Sequence, residues 1–450
     1  MTDTRLPVFD RRRAGVLLHL GSLPDALGRG GRAFIDWLAA AGFSGWQILP
    51  VGPTGADGSP YWVRSDFAGN PVFIDSGEWP DQGGLGEFLA ASAHWLEDYA
   101  LFEVLSFVQG GAPWWSWAPQ WRDRAPEALA HLRQQYAAEL DRVKNVQFAF
   151  FVQWRRLREH ARARGVRLFG DLPFYVAPDS AETWAHRDQF QLDATGQPAA
   201  VAGVPPDYFS QTGQLWGNPL YDWDVLRRDQ FRLWRRRVAS QLQRVDVLRI
   251  DHFRALAAHW AVPAGAPDAR SGEWRPTPGE ELLGLLWQDL GDLPIVAEDL
   301  GVITPDVDAL RKEFGLPGMR VLQFAFSGES TNPHLPHMHE RDSVVYTGTH
   351  DNDTTLGWYA SLPPHARQQV DDFLRLTPGS MPDALIRAAL GSVGGLAIVP
   401  VQDLLSLGSE ARLNTPGTAA GNWSWRLAPG ALTGELAGHF RHLNGIYNRG

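Results

Sequence analysis

The sequence predicts a (β/α)8 barrel, the TIM-barrel class of α/β fold, carrying helical and loop insertions. Three observations lead there. Eight short apolar, β-branched runs bounded by Gly, Pro or Asp recur along the chain, and helical patterns lie between several of them. Three of the runs end in a carboxylate: Asp251, Glu298 and Asp351. Strands alternating with helices imply a parallel sheet, and eight alternations imply a closed barrel. A barrel gathers its strand C-termini at one face, so acids from distant sequence meet there.

Taken in order, the first strand is expected at 15–20 (GVLLHL), followed by a helix over 32–41 and a second strand at 45–51 (GWQILPV). A long stretch over 76–165 then reads as mostly helical. Its clearest helices are 87–107 and 146–163, and a tryptophan-rich loop holds Trp114, Trp115, Trp117 and Trp121. The third strand, 166–174 (VRLFGDLPF), carries Asp171 and leads into a Pro-, Gly- and aromatic-rich segment, 175–224, too long for a simple barrel loop. Helix 231–243 precedes the fourth strand, 247–253 (VLRIDHF). The remaining strands are expected at 294–300, 319–326, 343–346 and 396–404, with helices at 280–291, 305–314, 364–374 and 381–390 between them. The chain therefore divides into a first part of the barrel (1–75), a helical insertion (76–165) and the rest of the barrel (166–450). The third part includes the loop 175–224 at the active face.

Composition narrows the functional classes. The 450 residues can bury one large core. A formal net charge of −10 gives no support to nucleic-acid or anionic-membrane binding. No cysteine is present, which excludes disulfides, thiolate metal sites and cysteine nucleophiles, and suits a reducing cytoplasm. The N-terminus lacks a signal-peptide core, and 15–20 is far too short to span a bilayer. The outlier is tryptophan, at 20 residues. Buried packing is the ordinary use of such rings, and stacking on the flat faces of sugars is the functional one.

Arg249 and Asp251 are two apart on a strand, so their side chains point the same way. The cation is expected to lower the pKa of Asp251 and keep it ionised, as a nucleophile requires. Burial and a neighbouring anion are expected to raise Glu298, the tuning a general acid needs. His350 beside Asp351 adds a donor to an acceptor. One strand-end aspartate is more often a loop cap than a catalyst; the convergence of three acids points to glycosidic chemistry, whose transition state is cationic. The first strand carries only His19, without the paired histidines of metal-dependent barrel hydrolases, so no metal is expected. Neither a G-x-S-x-G elbow nor a phosphate-binding glycine loop follows a strand, so no nucleotide cofactor is expected.

Several motifs then combine: GSLPD (21–25), DGSPYW (57–62), FAGNP (67–71), WLEDYALF (95–102) and GDLPFYVAPDSAETW (170–184). They continue through VAGVPPDYFSQTGQLWGNPLYDW (201–223), LRIDHFRAL (248–256), VAEDLGVITPDV (296–307), GLPGMRVLQFAF, YTGTHDNDT, and QDLLSLGSEARLNTPGT with NWSWRL. Nearly end to end, this series resembles the amylomaltase family, the bacterial 4-α-glucanotransferases of the α-amylase-like barrel enzymes. The resemblance implies that Asp251 is the nucleophile of a covalent glucosyl-enzyme. It makes Glu298 the general acid and then base, and Asp351 the carboxylate that grips sugar hydroxyls beside the reacting carbon. Arg249, His252 and His350 would surround that glucose, Tyr61 would stack on it, and Asp171 falls in the first amylase-like signature segment. The 205–209 loop with Tyr208 and Phe209, together with Trp216, would form a flap on the acceptor side.

The implied reaction is a retaining double displacement that moves α-1,4-glucan segments, with maltooligosaccharides and α-1,4-glucans as donor and acceptor and no nucleic-acid or membrane partner. Trp62 stands where the family pattern has glutamine, Leu20-Gly21 replaces a Pro-Thr, and the chain is somewhat shorter than its relatives. Two other readings remain: an α-1,4-glucan hydrolase of the same superfamily, and a non-catalytic glucan-binding protein.

Overall fold

A computed structural model describes residues 9–206, 210–418 and 420–450. Twelve strands form among them. In chain order they are β1 (Arg13–Leu17), β2 (Gly45–Gln47), β3 (Arg167–Leu172), β4 (Ala200–Val204), β5 (Gln214–Pro219) and β6 (Val247–Ile250), then β7 (Ala258–Pro263), β8 (Glu273–Pro276), β9 (Ile295–Ala297), β10 (Gly318–Val321), β11 (Ser343–Tyr346) and β12 (Leu396–Pro400). Eight of them are joined in the order β10-β11-β12-β1-β2-β3-β6-β9, and every pairing between them is parallel. The two ends meet where the Ala297 N–H donates to the Pro317 carbonyl at 2.8 Å. Each of the eight predicted runs supplies one strand of this barrel.

Successive strand residues face opposite sides, and the core divides accordingly. Leu17, Phe169, Val247, Val296, Val344, Tyr346 and Ile398 fill the barrel interior as one cluster. Val16, Leu168, Leu248, Ile295, Val345 and Val399 point outward into the larger cluster shared with the helices. The interior parity continues to Asp171 on β3, Arg249 on β6 and, just past the strand ends, Asp251 and Glu298. Gly15 and Gly45 lie opposite each other on β1 and β2. A side chain on Gly15 would come within 2.9 Å of the Gly45 carbonyl oxygen, so this contact requires a bare backbone.

Departures from the predicted elements have local causes. The helix expected over 87–107 is two helices, Leu85–Ala91 and Leu96–Val108. Trp95 leaves helical geometry at the break and buries its ring against Phe67 and Phe151. The helix expected at 146–163 begins at Ala137, because its first turns are good helix formers that lack an apolar stripe. It packs between the helices Arg29–Ala40 and Arg232–Arg244. The segment 175–224, expected as loop, contributes β4 and β5 to an antiparallel sheet of order β5-β4-β7-β8. Among the described residues no helix is long and apolar enough to cross a membrane.

Candidate active site

The centre of the site is a cross-strand pair. Asp171 and Arg249 stand opposite each other on β3 and β6, and Arg249 Nη1 donates to Asp171 Oδ2 at 2.6 Å. Its Nη2 donates to Asp251 Oδ1, also at 2.6 Å. One guanidinium thus forks between two carboxylates, a geometry a lysine cannot reproduce. Burial disfavours the charge on Arg249, but Asp171 and Asp251 outweigh it and hold the group ionised. Tyr61 donates its hydroxyl to the same Asp171 oxygen at 2.6 Å. Its ring stacks on His350, with centroids 5.2 Å apart and planes 15° from parallel.

Glu298 follows β9 and receives two backbone N–H groups: His252 to Oε2 at 2.8 Å and Leu300 to Oε1 at 2.9 Å. His252 reaches it from a left-handed backbone conformation, φ 53°, which is uncommon outside glycine and recurs at functional sites. Its ring stands edge-on to Trp216 at 4.7 Å and tilts against Tyr175 at 6.4 Å, with Nε2 buried and without a hydrogen-bond partner among the described residues. Asp351 follows β11, next to His350. Its Oδ1 accepts the Asn414 amide at 2.6 Å and lies 3.4 Å from His350 Nε2. Its side chain is 45% exposed, open for a ligand to reach.

Asp251 and Glu298, at the ends of the paired strands β6 and β9, differ in their partners. Burial and then the Asp251 charge push the Glu298 carboxyl up to about 8, against the pull of Arg249 and the two backbone donors. For Asp251 the expected lowering is reversed. Burial raises its carboxyl, the Arg249 guanidinium pulls it back only in part, and the net shift is upward. The cation touches Asp251 and not Glu298, so the first proton belongs to Glu298. His19 is buried and His252 half-buried; desolvation depresses both to about 3, so each is neutral.

Nine of the eleven sequence-predicted residues gather here: Tyr61, Asp171, Trp216, Arg249, Asp251, His252, Glu298, His350 and Asp351. Tyr208 and Phe209 lie outside the described residues. Sequence reasoning passed over three others. Asn414 and Arg412 hold Asp351, the latter by donating to its backbone carbonyl at 2.7 Å. Trp423 packs 6.1 Å from both Tyr61 and His350. LNTP and NWSW both belong to the motif series of the sequence, but nothing in their spacing says which strand end they cross.

A family profile described as 4-alpha-glucanotransferase (glycoside hydrolase family 77) matches residues 18–84 and 77–433. The chain belongs to this family. The 4-alpha-glucanotransferase of Thermus thermophilus is 44% identical, over 96% of this chain and 98% of that protein. That of Synechocystis is 43% identical, over 98% and 99%. The amylomaltase of Streptococcus agalactiae, solved in complex with acarbose, superposes with a TM-score of 0.94 at 32% identity, covering 98% of this chain and all of that one.

Proposed function

We propose that this chain is a retaining 4-α-glucanotransferase acting on α-1,4-linked maltooligosaccharides and longer glucans. The observation that carries the reading is the asymmetric pair at the end of β6 and β9. Asp251 bonds to a buried guanidinium, while Glu298 pairs with no cation among the described residues and has its carboxyl raised to about 8. Asp251 attacks the anomeric carbon as Glu298 protonates the departing sugar oxygen. The 4-hydroxyl of an incoming glucan, losing its proton to Glu298, then displaces Asp251 and regenerates both groups. Asp351, aimed by Asn414, accepts hydroxyls of the reacting glucose, and Tyr61 with His350 presents a flat aromatic wall. Asp171 anchors both Arg249 and Tyr61, so its part is to position them. We place Tyr208, Phe209 and Trp216 on the acceptor side, and read 76–165 as an inserted subdomain of a cytoplasmic enzyme that uses no cofactor.

The test is maltotriose incubated with wild type, Asp251→Asn and Glu298→Gln, with products resolved by chromatography. Wild type should yield glucose and a ladder of longer chains. A trapped glucosyl adduct on Asp251 in the Glu298→Gln protein identifies the nucleophile. Transfer surviving either substitution overturns the roles, and glucose and maltose without longer chains favours a hydrolase.

A further inference from the structure

The loop that carries His350 and Asp351 leaves β11 and ends where the helix Thr355–Ser361 begins. Thr347 and Thr355 mark its two ends, and both are buried. One carboxylate holds them. Asp403 Oδ2 accepts the Thr347 hydroxyl at 2.7 Å and the Thr355 hydroxyl at 2.6 Å, while Oδ1 accepts the Thr355 backbone N–H at 2.7 Å. Asp403 is 1% exposed and lies in the short helix Val401–Leu404, directly after β12, the strand paired with β11.

The middle of the loop is held by the same stretch of chain. Gln402, beside Asp403, donates to the Ala411 carbonyl at 3.3 Å. Ser409 then donates its hydroxyl to Asp353 Oδ2 at 2.6 Å, and Arg412 and Asn414 hold Asp351. Gln323, after β10, adds a donor to the Asp353 carbonyl at 2.9 Å. Packing supplies less. Thr349, His350 and Asn352 share a cavity with His19 and Gln402, which leaves the loop room to shift once its polar contacts are cut. Asp403 itself has no paired cation among the described residues, and burial raises its carboxyl against the pull of its three donors. What this buried acid supplies is geometric: two loop ends fixed by one acceptor.

We propose that Asp403 is a positioning residue, which clamps both ends of the 348–354 loop and so sets where Asp351 stands against the reacting glucose. The proposal rests on the transferase reading and deepens it. A group so nearly sealed from solvent does not touch substrate, so its effect passes through Asp351. Asparagine fits the same three partners. Its carbonyl accepts the Thr355 N–H, and its two amide hydrogens match the two hydroxyl oxygens, which can accept as well as donate. Alanine fits none.

Initial rates with maltotriose are measured for wild type, Asp403→Asn, Asp403→Ala and Thr355→Val, well below the Tm of each. Asp403→Ala and Thr355→Val are then repeated on an Asp351→Asn background. A misplacement of about 1 Å can cost on the order of 100-fold in rate. The kcat of Asp403→Ala should fall about 10- to 100-fold with KM little changed. That of Thr355→Val, which loses one hydroxyl bond, should fall about three- to ten-fold. Asp403→Asn should regain most of the rate. On the Asp351→Asn background only a small part of each loss should remain, because the positioned group is already disabled. Thr355→Val decides the matter where Asp403→Ala does not fold. The full loss persisting on that background, or unchanged kcat with only a lower Tm, gives Asp403 a structural part and overturns the proposal. Asp403→Asn as slow as Asp403→Ala overturns it as well, since charge and not the clamp would then matter. Wild type that releases glucose without longer chains overturns the transferase reading instead, and the same comparison on glucose release still decides the clamp.

Discussion

Arg249→Lys is the most informative single substitution in this site. The positive charge stays, but a lysine ammonium is a point donor on a flexible stem and cannot span Asp171 and Asp251 as the guanidinium does, with 2.6 Å to each. One charge-assisted hydrogen bond is lost, worth about 1.5–3 kcal/mol. If the lost bond is the one to Asp251 and it acts in the transition state, kcat/KM falls about 10- to 150-fold. The pH dependence has a definite sign. Asp251 must be ionised to attack, and weakening its cation contact raises its carboxyl further, so the acid limb of kcat/KM moves to higher pH. The basic limb, set by Glu298, stays near 8 because the net charge of the site is unchanged. Arg249→Met serves as the contrast. It leaves the buried Asp171 carboxylate and the partly exposed Asp251 without their cation, and the uncompensated charge on Asp171 lowers folding stability by about 3 kcal/mol. The assay is the initial rate of glucose release from maltotriose across the acid-to-alkaline range, with thermal unfolding of each variant alongside. Unchanged activity with an unmoved acid limb in Arg249→Lys refutes the assignment of Arg249 as the group that tunes Asp251.

Three further outcomes follow from other contacts. Wild-type kcat/KM should decline as pH rises through about 8, where Glu298 loses the proton it must donate; a pH–rate profile in maltotriose checks this. Asn414→Asp replaces the amide that donates to Asp351 at 2.6 Å with a second carboxyl. Transfer should survive only at acid pH, where one of the two is protonated, and collapse toward neutrality. Equal activity at both pH values would mean that Asn414 does not aim Asp351. Glu182 is buried and accepts the Ser65 hydroxyl at 2.6 Å, and burial with the nearby Asp66 raises its carboxyl to about 8. Its contribution to stability is full below the ordinary glutamate range and is lost as pH rises through about 8. The Tm of wild type should fall over that window, and Glu182→Gln, which mimics the protonated acid, should flatten the slope.

The barrel was legible in the sequence because parallel strands are buried on both faces and read as near-continuous apolar runs. The acids were legible because they interrupt those runs at one end. The second sheet was not: β4 is AVAGV and β5 is QLWGNP, too small or too polar and Pro/Gly-marked for any strand pattern. Asn414 was hidden for a different reason. It meets Asp351 from 63 residues away in a loop, and side-chain reach across such a distance has no local signature. The sign of the shift at Asp251 is not legible from Arg249 two residues away, because desolvation outweighs that cation. Desolvation depends on how the whole barrel closes around the carboxyl, which no two-residue spacing contains.

That reversal clarifies what separates the two working acids. Asp251 and Glu298 are both raised by burial, so desolvation cannot be what assigns them different roles. The difference lies in what each carboxylate touches. Asp251 bonds to a guanidinium that is itself pinned from behind by Asp171, so the cation cannot swing toward Glu298 without breaking a second 2.6 Å contact. Among the described residues Glu298 receives two neutral backbone donors and no cation, one donor supplied by the left-handed turn at His252. Asp171 and the backbone at His252 thus enforce the same distinction from two sides: one fixes the charge on Asp251, the other satisfies Glu298 without supplying any. Two carboxylates in one pocket can then hold a single proton in a defined place, which acid/base and nucleophilic roles on neighbouring strands require.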